Sequence, residues 1–283
     1  LYLTPKLGLN TTSISGRKNN WRSILALVST QHTISLMRKV ATTQQARWLA
    51  WLPFGRDTLL QTISENSTWQ NTLYLNRSNP AWELMLQSIN IATTANLVSG
   101  ADRRTRNEYL AQWRQGLGRR FTAILKYGRG NTTSASMAFA NRNYHLQNRQ
   151  IEPQLTAIIS NKQRFILSYR YKHAFNKPNN PPANPPETTR EHRLTAEHTL
   201  AAVGQNSINS RLSWVNIAYL GPTNTPAAFA LLEGLQPGQN WLWTLNYGTR
   251  LPGNLQLNLQ YEGRKSENSR VAHVGRMSLT ALF

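Results

Sequence analysis

Six histidines, His32, His145, His173, His192, His198 and His273, carry the widest chemical repertoire of this 283-residue chain. An imidazole can ligate a metal or move a proton near neutral pH. The spacing favours neither. The one repeat, Glu191-His192 and Glu197-His198, sets two rings six residues apart. On a strand they share a face about 20 Å apart, too far for one ion. No metal site is expected. A hydroxyl nucleophile needs a histidine and an orienting polar group beside it, and no nucleophile elbow marks any serine here. Asp57 and Asp102 are the only aspartates, and the glutamates are dispersed. Cysteine is absent, which removes thiolate zinc sites, disulfides and thiol nucleophiles. Gly116-Leu117-Gly118-Arg119-Arg120 reads as a turn entering a strand, not a phosphate-binding loop that opens a helix. The expectation is a protein that is not an enzyme and uses no cofactor.

Charge is the stronger signal. Lys and Arg number 32 against 12 Asp and Glu, a net charge of +20. Charged residues are nevertheless only 16% of the chain, below the roughly 25% usual in soluble domains. The chain is poor in acids more than dense in bases. Such a field attracts polyanions: nucleic acid, anionic sugars or lipid phosphates.

The elements that would hold these charges follow from a period-2 pattern. Leu255, Leu257, Leu259 and Tyr261 alternate with Asn254, Gln256, Asn258 and Gln260, so one strand face is apolar and the other amide. The same grammar recurs around Trp113, Tyr127, Tyr169 and Tyr171, then Trp241, Trp243 and Tyr247, and in the final run to Phe283. These eight aromatics are the candidate membrane-interface residues, because amphipathic rings settle at headgroup depth. By parity Arg106, Arg114, Lys126, Arg164, Arg170, Lys172, Arg250 and Arg276 share the opposite face. In a barrel that face is the lumen, and these eight are the candidate anion-facing residues. Basic residues near the rim could instead meet anionic headgroups.

A soluble β-sandwich also alternates. Three features favour lipid: aromatics near strand ends, runs such as 103–117 and 208–220 that exceed the usual five or six residues, and an apolar final strand ending in Phe283. No 18-residue apolar run exists, which excludes a helical membrane protein. Turns are expected at 128–134, 220–225 and 250–254. The stretch 176–187, with five prolines, reads as a solvated external loop. Residues 40–60 read as a short helix or an inward loop. The chain begins with Leu1 and carries no secretory signal, so it is taken as processed, or as the C-terminal part of a longer protein.

Several segments also resemble a known family. LLEGLQPGQN at 231–240, LQLNLQYEGRKSE at 255–267 and HVGRMSLTALF at 273–283 resemble the C-terminal barrel of large, mostly uncharacterised Bacteroidota outer-membrane proteins. LNRSNPAWEL at 75–84 and ANRNYHLQNRQIEP at 140–153 are similar to the same family. The resemblance spans roughly residues 57 to 283. It implies a location and a fold, and brings no catalytic residues. Phe283 also resembles a barrel-assembly signal, although Ser278 stands where that signal usually has glycine.

The expectation is thus one all-β domain over 1–283, an antiparallel up-and-down transmembrane β-barrel of roughly 12–14 strands in the outer membrane. It would serve as the anchor or scaffold of an envelope complex, or as a pore with a basic lumen. Its partners would be outer-membrane lipid, lipopolysaccharide included, and other envelope proteins. The alternative is a soluble, basic all-β protein that binds nucleic acid or another polyanion. Against that alternative, the bases are spread singly and the aromatics lie away from many of the arginines.

Overall fold

The computed structural model describes residues 2–3, 6–17, 24–41, 59–77, 79–97, 100–177, 186–201, 206–267 and 269–281. It consists of antiparallel strands in a single sheet: β1 (Tyr2–Leu3), β2 (Lys6–Arg17), β3 (Ile24–Ala41), β4 (Leu59–Leu75), β5 (Trp82–Leu97), β6 (Gly100–Leu117), β7 (Phe121–Ser136), β8 (Tyr144–Ser160), β9 (Gln163–Asn176), β10 (Thr188–Ala201), β11 (Asn206–Leu220), β12 (Gly238–Leu251), β13 (Leu255–Ser266) and β14 (Ala272–Ala281). A short α-helix, α1 (Pro226–Leu232), joins β11 to β12. β1 and β2 pair with β3 in one register, Tyr2 opposite Lys39 and Lys6 opposite Ser35, so they form a single pass. From β3 to β14 each strand pairs with its neighbour in sequence, the order of an up-and-down meander. This gives thirteen passes among the described residues, within the expected range.

The two faces of the sheet differ as the alternation requires. Register places Trp113, Leu125, Tyr169, Leu194 and Trp241 on one face, and all five are exposed, between 38% and 48%. Buried hydrophobic residues are few among the described residues: Leu146, Ala174, Val215, Ile217, Ala227, Ala228, Leu231 and Leu232. All of them belong to α1 or to the strands beneath it. Greasy side chains therefore point outward around the sheet, an arrangement that water penalises by roughly 25 cal/mol per Å² of apolar surface and hydrocarbon does not. Neither Tyr169, Leu257 nor Trp243 is buried in a dry interior. The fold is an antiparallel up-and-down transmembrane β-barrel, with α1 lying on the inner face of its wall.

Local chemistry sets several details. Trp243 lies across Gly263 on the next strand, where an added Cβ would collide with the indole, and the His273 ring sits 5.9 Å beyond. A residue without a side chain is needed at that crossing. Short connections at 118–120, 161–162 and 252–254 gather at one end of the strands; in the last of them Gly253 (φ 79°) and Asn254 (φ 56°) turn the chain. The longer connections 177–187 and 221–237 lie at the other end.

Some expectations need correction. Residues 128–134 are not a turn but the middle of β7; Gly128 and Gly130 face Gln150 and Asn148, whose side chains cover them. In 176–187, Asn176 closes β9 and Glu187 is 3% exposed, so those two residues belong to the packed wall, while Lys177 and Pro186 are exposed. Its residues 178–185 lie outside the described residues, as do 42–58 of the expected 40–60 loop. Val40 and Ala41, and Leu59 and Leu60, belong to strands.

Candidate functional site

The most organised cluster of charge sits where α1 meets the inner face. The segment Thr225–Gly234 has the grammar of a short capped helix. The Thr225 hydroxyl accepts from the Ala228 amide at 3.0 Å, Pro226 occupies the first turn, and Glu233 caps the end in the left-handed conformation (φ 52°). Leu231 packs with Leu146 and Ala174, and Leu232 with Val215 and Ile217. Polar contacts pin both ends. Thr225 donates to the Glu187 carboxylate, which also accepts from Asn176 Nδ2 at 2.8 Å.

At the other end, Glu233 Oε1 accepts from Lys172 Nζ at 2.5 Å. Its Oε2 accepts from Arg170 Nη2 at 3.1 Å and from Arg193 Nη2 at 3.2 Å. Arg170 Nη2 and Arg193 Nε also donate to Glu191 Oε1, at 2.7 and 2.9 Å. Three cations thus share two carboxylates. Burial by itself would raise the Glu233 carboxyl, but Lys172, Arg170 and Arg193 outweigh it and hold the group at about 2, against an ordinary 4.5. A polar cavity of about 260 Å³ opens beside the cluster, bounded by Gln87, Arg106, Glu108, Gln150, Lys172 and Glu233.

Register puts all eight candidate bases on this same face, and five of them meet acids there. Arg106 pairs with Glu108 at 2.6 Å, and Lys126 with Glu152 at 2.8 Å. Arg114 lies 3.6 Å from Glu83 and donates to the Asn79 carbonyl at 2.6 Å. Arg170 and Lys172 belong to the Glu233 cluster. Arg164, Arg250 and Arg276 have no ion-pair partner among the described residues. The inner face therefore carries compensated charge over much of its area.

The aromatic candidates share the outer face. Trp113, Tyr169 and Trp241 lie on one line of register partners, which also contains Trp214, a residue that parity had not singled out. Tyr127 and Tyr171 lie on the adjoining line toward the long connections; Trp243 and Tyr247 lie on lines toward the short turns. Phe283 is outside the described residues. Three histidines find partners on this face: His145 Nδ1 bonds Thr133 Oγ1 at 2.8 Å, His192 Nδ1 bonds Tyr169 Oη at 2.6 Å, and His273 Nδ1 bonds Tyr261 Oη at 2.8 Å. Each ring and hydroxyl satisfies the other, as a hydrocarbon-facing surface demands. Among the described residues no group of three or more His, Asp or Glu is placed to hold a metal.

The sequence reading missed Arg193, Glu191, Glu233 and α1. Thr225-Pro226 followed by Glu233-Gly234 was an available start-and-stop signal. Arg193 was hidden because β10 carries polar residues on both faces.

No family model matches the chain, and no curated protein matches it. Among solved structures it is similar to the outer-membrane channel DcaP of Acinetobacter baumannii (10% identity, 98% of this chain and 94% of that one, TM-score 0.45). It is similar also to the open form of the ferric-catecholate import receptor Fiu of E. coli K12 (11% identity, 98% and 59%, TM-score 0.42). A third is the beta domain of the Bordetella autotransporter Brka (9% identity, 98% and 97%, TM-score 0.33).

Proposed function

We propose that this chain is an integral outer-membrane barrel that forms a narrow passage whose bore is set by α1. The observation that carries the reading is the docking of α1 on the inner wall, clamped at one end by Glu187 and at the other by Lys172, Arg170 and Arg193. A helix held at its ends by four charged groups, over the apolar patch of Leu146, Ala174, Val215 and Ile217, is a built constriction, not an accident of a long loop. Its cationic excess is carried by Arg104, Arg164, Arg250, Arg264 and Arg276, inner-face bases with no ion-pair partner among the described residues, which supports a mild preference for anions. Glu191 and Glu233 neutralise most of the charge that Arg170 and Lys172 would have lent it.

Single-channel recording in a planar bilayer tests this. The chain is expected to conduct in small steps with anion preference. Deleting 226–232 should enlarge the steps, and changing Arg164, Arg250 and Arg276 together to Glu should reverse the preference. Absence of conductance from both the full chain and the deletion would overturn the passage reading. It would leave the barrel as the anchor or scaffold of an envelope complex. A soluble polyanion binder would have to keep Trp113, Leu125, Tyr169 and Leu194 in water, which the exposure of that face opposes.

A further inference from the structure

We propose that the outer face of β7–β10 binds a phosphorylated, acylated lipid of the outer leaflet, a reading that rests on the membrane-barrel assignment. Arg129 lies directly opposite Arg149, Arg149 opposite His173, and His173 opposite Arg190. Four basic side chains thus occupy one line across four adjacent strands, each about 4.8 Å from the next. Like charges set directly opposite one another destabilise a sheet unless something compensates them.

Nothing in the wall does so. Arg129, Arg149 and Arg190 are exposed, and none forms an ion pair among the described residues. The flanking positions on the same face are Tyr127, Ile151, Tyr171 and His192 on one side and Asn131, Gln147, Phe175 and Thr188 on the other, with no acid among them. The acids lie elsewhere. Glu83, Asp102, Glu108, Glu152, Glu191, Glu197 and Glu262 all occupy the inner face, and Glu65 is the one acid of a described strand that faces outward. Among the described residues no acid balances this line, and we place its counter-anion outside the protein.

Its position says which anion. On β7 the line lies ten residues from Arg119 at the short turn between β6 and β7. That is about 33 Å along the strand, or roughly 25 Å of vertical height at a usual tilt, the thickness of the apolar band. The basic line thus stands at one edge of the hydrocarbon, on the side of the long connections, which in such barrels is the extracellular side. Beyond the intervening row of Tyr127, Ile151 and Tyr171, about 13 Å further toward the membrane centre, a groove of about 580 Å³ is lined by Trp113, Leu125, Leu155, Leu167, Tyr169 and Leu194. Cations above and an apolar trough below match a phosphate headgroup with an acyl chain beneath it.

The full chain, folded in neutral detergent, is mixed with lipid A, a phosphorylated glycolipid, washed by gel filtration and examined by native mass spectrometry. Wild-type protein should retain one lipid A. The R129Q/R149Q/R190Q variant should retain at least about tenfold less, since each Arg at an anionic surface contributes roughly fivefold. Ala123→Trp, which fills the groove without altering charge, should also lower retention, and millimolar inorganic phosphate should not displace the lipid. Heat-modifiable migration of each variant reports whether the barrel is intact. Should the triple variant fail that check, Arg149→Gln alone is expected to lose at least threefold. Retention unchanged in the folded variants, equal loss in the inner-face R164Q/R276Q control, or displacement by inorganic phosphate would each overturn the proposal. Failure of the wild-type chain to show heat-modifiable migration would instead count against the membrane barrel itself.

Discussion

Substituting Glu233 by Gln should release α1 from the wall while leaving the barrel folded. The carboxylate accepts three hydrogen bonds from cations, at 2.5, 3.1 and 3.2 Å. Charge-assisted bonds of this kind contribute about 1.5–3 kcal/mol each when well buried. Two considerations reduce the sum. The Glu233 side chain is 35% exposed, so water screens it. Arg170 and Arg193 also keep Glu191 as a partner, and only Lys172, 11% exposed, loses its sole carboxylate among the described residues. A net loss of about 2 kcal/mol remains, equivalent to roughly thirtyfold in the docking equilibrium. The chain has no cysteine, so a single Ala228→Cys, at a position with no exposure on α1, reports undocking through its maleimide labelling rate. With Glu233 intact labelling should be slow; in the Glu233→Gln background it should rise about thirtyfold, while heat-modifiable migration stays the same. Rates within twofold of each other would refute the argument that the ion cluster holds the helix.

Docking should also depend on pH. The Glu233 pKa is depressed from 4.5 to about 2, so the latch is at full strength above pH 4.5 and is lost as pH falls through 2. Protection of the α1 amides, taken relative to their intrinsic exchange rates, should match at pH 7 and pH 5 and should fall below pH 4. Gly263→Ala would drive a methyl group into the Trp243 ring, costing about 1–3 kcal/mol and lowering the temperature at which the barrel's migration shifts. Tyr169→Phe would strip His192 Nδ1 of its partner on the outer face, at a cost of about 1–2 kcal/mol in urea unfolding from detergent.

The wall was legible in the sequence because alternation is local. One look at 254–261 shows which residues share a face, and strand register sets Arg164 and Arg170 on one face and Trp241 and Trp243 on the other. Height along the strand is not local. Whether Lys126 meets Glu152, or Arg170 meets Glu191, depends on how two strands slide past each other, and that is fixed by turns and bulges some twenty residues away. The eight bases were therefore read as a free positive surface when five of them are paired. The glycines of 128–134 misled for a related reason. Gly128 and Gly130 resemble turn residues, yet here they make room for Gln150 and Asn148 to lie flat. The helix was lost inside a long connection, where its seven residues gave too little periodicity to outweigh the strand pattern around them.

Glu187 stands at the foot of the connection 177–187, and its carboxylate grips the hydroxyl that starts α1. A pull on that connection would reach α1 through one side chain. Loop and helix are in that sense a single mechanical linkage, with a carboxylate as the pin.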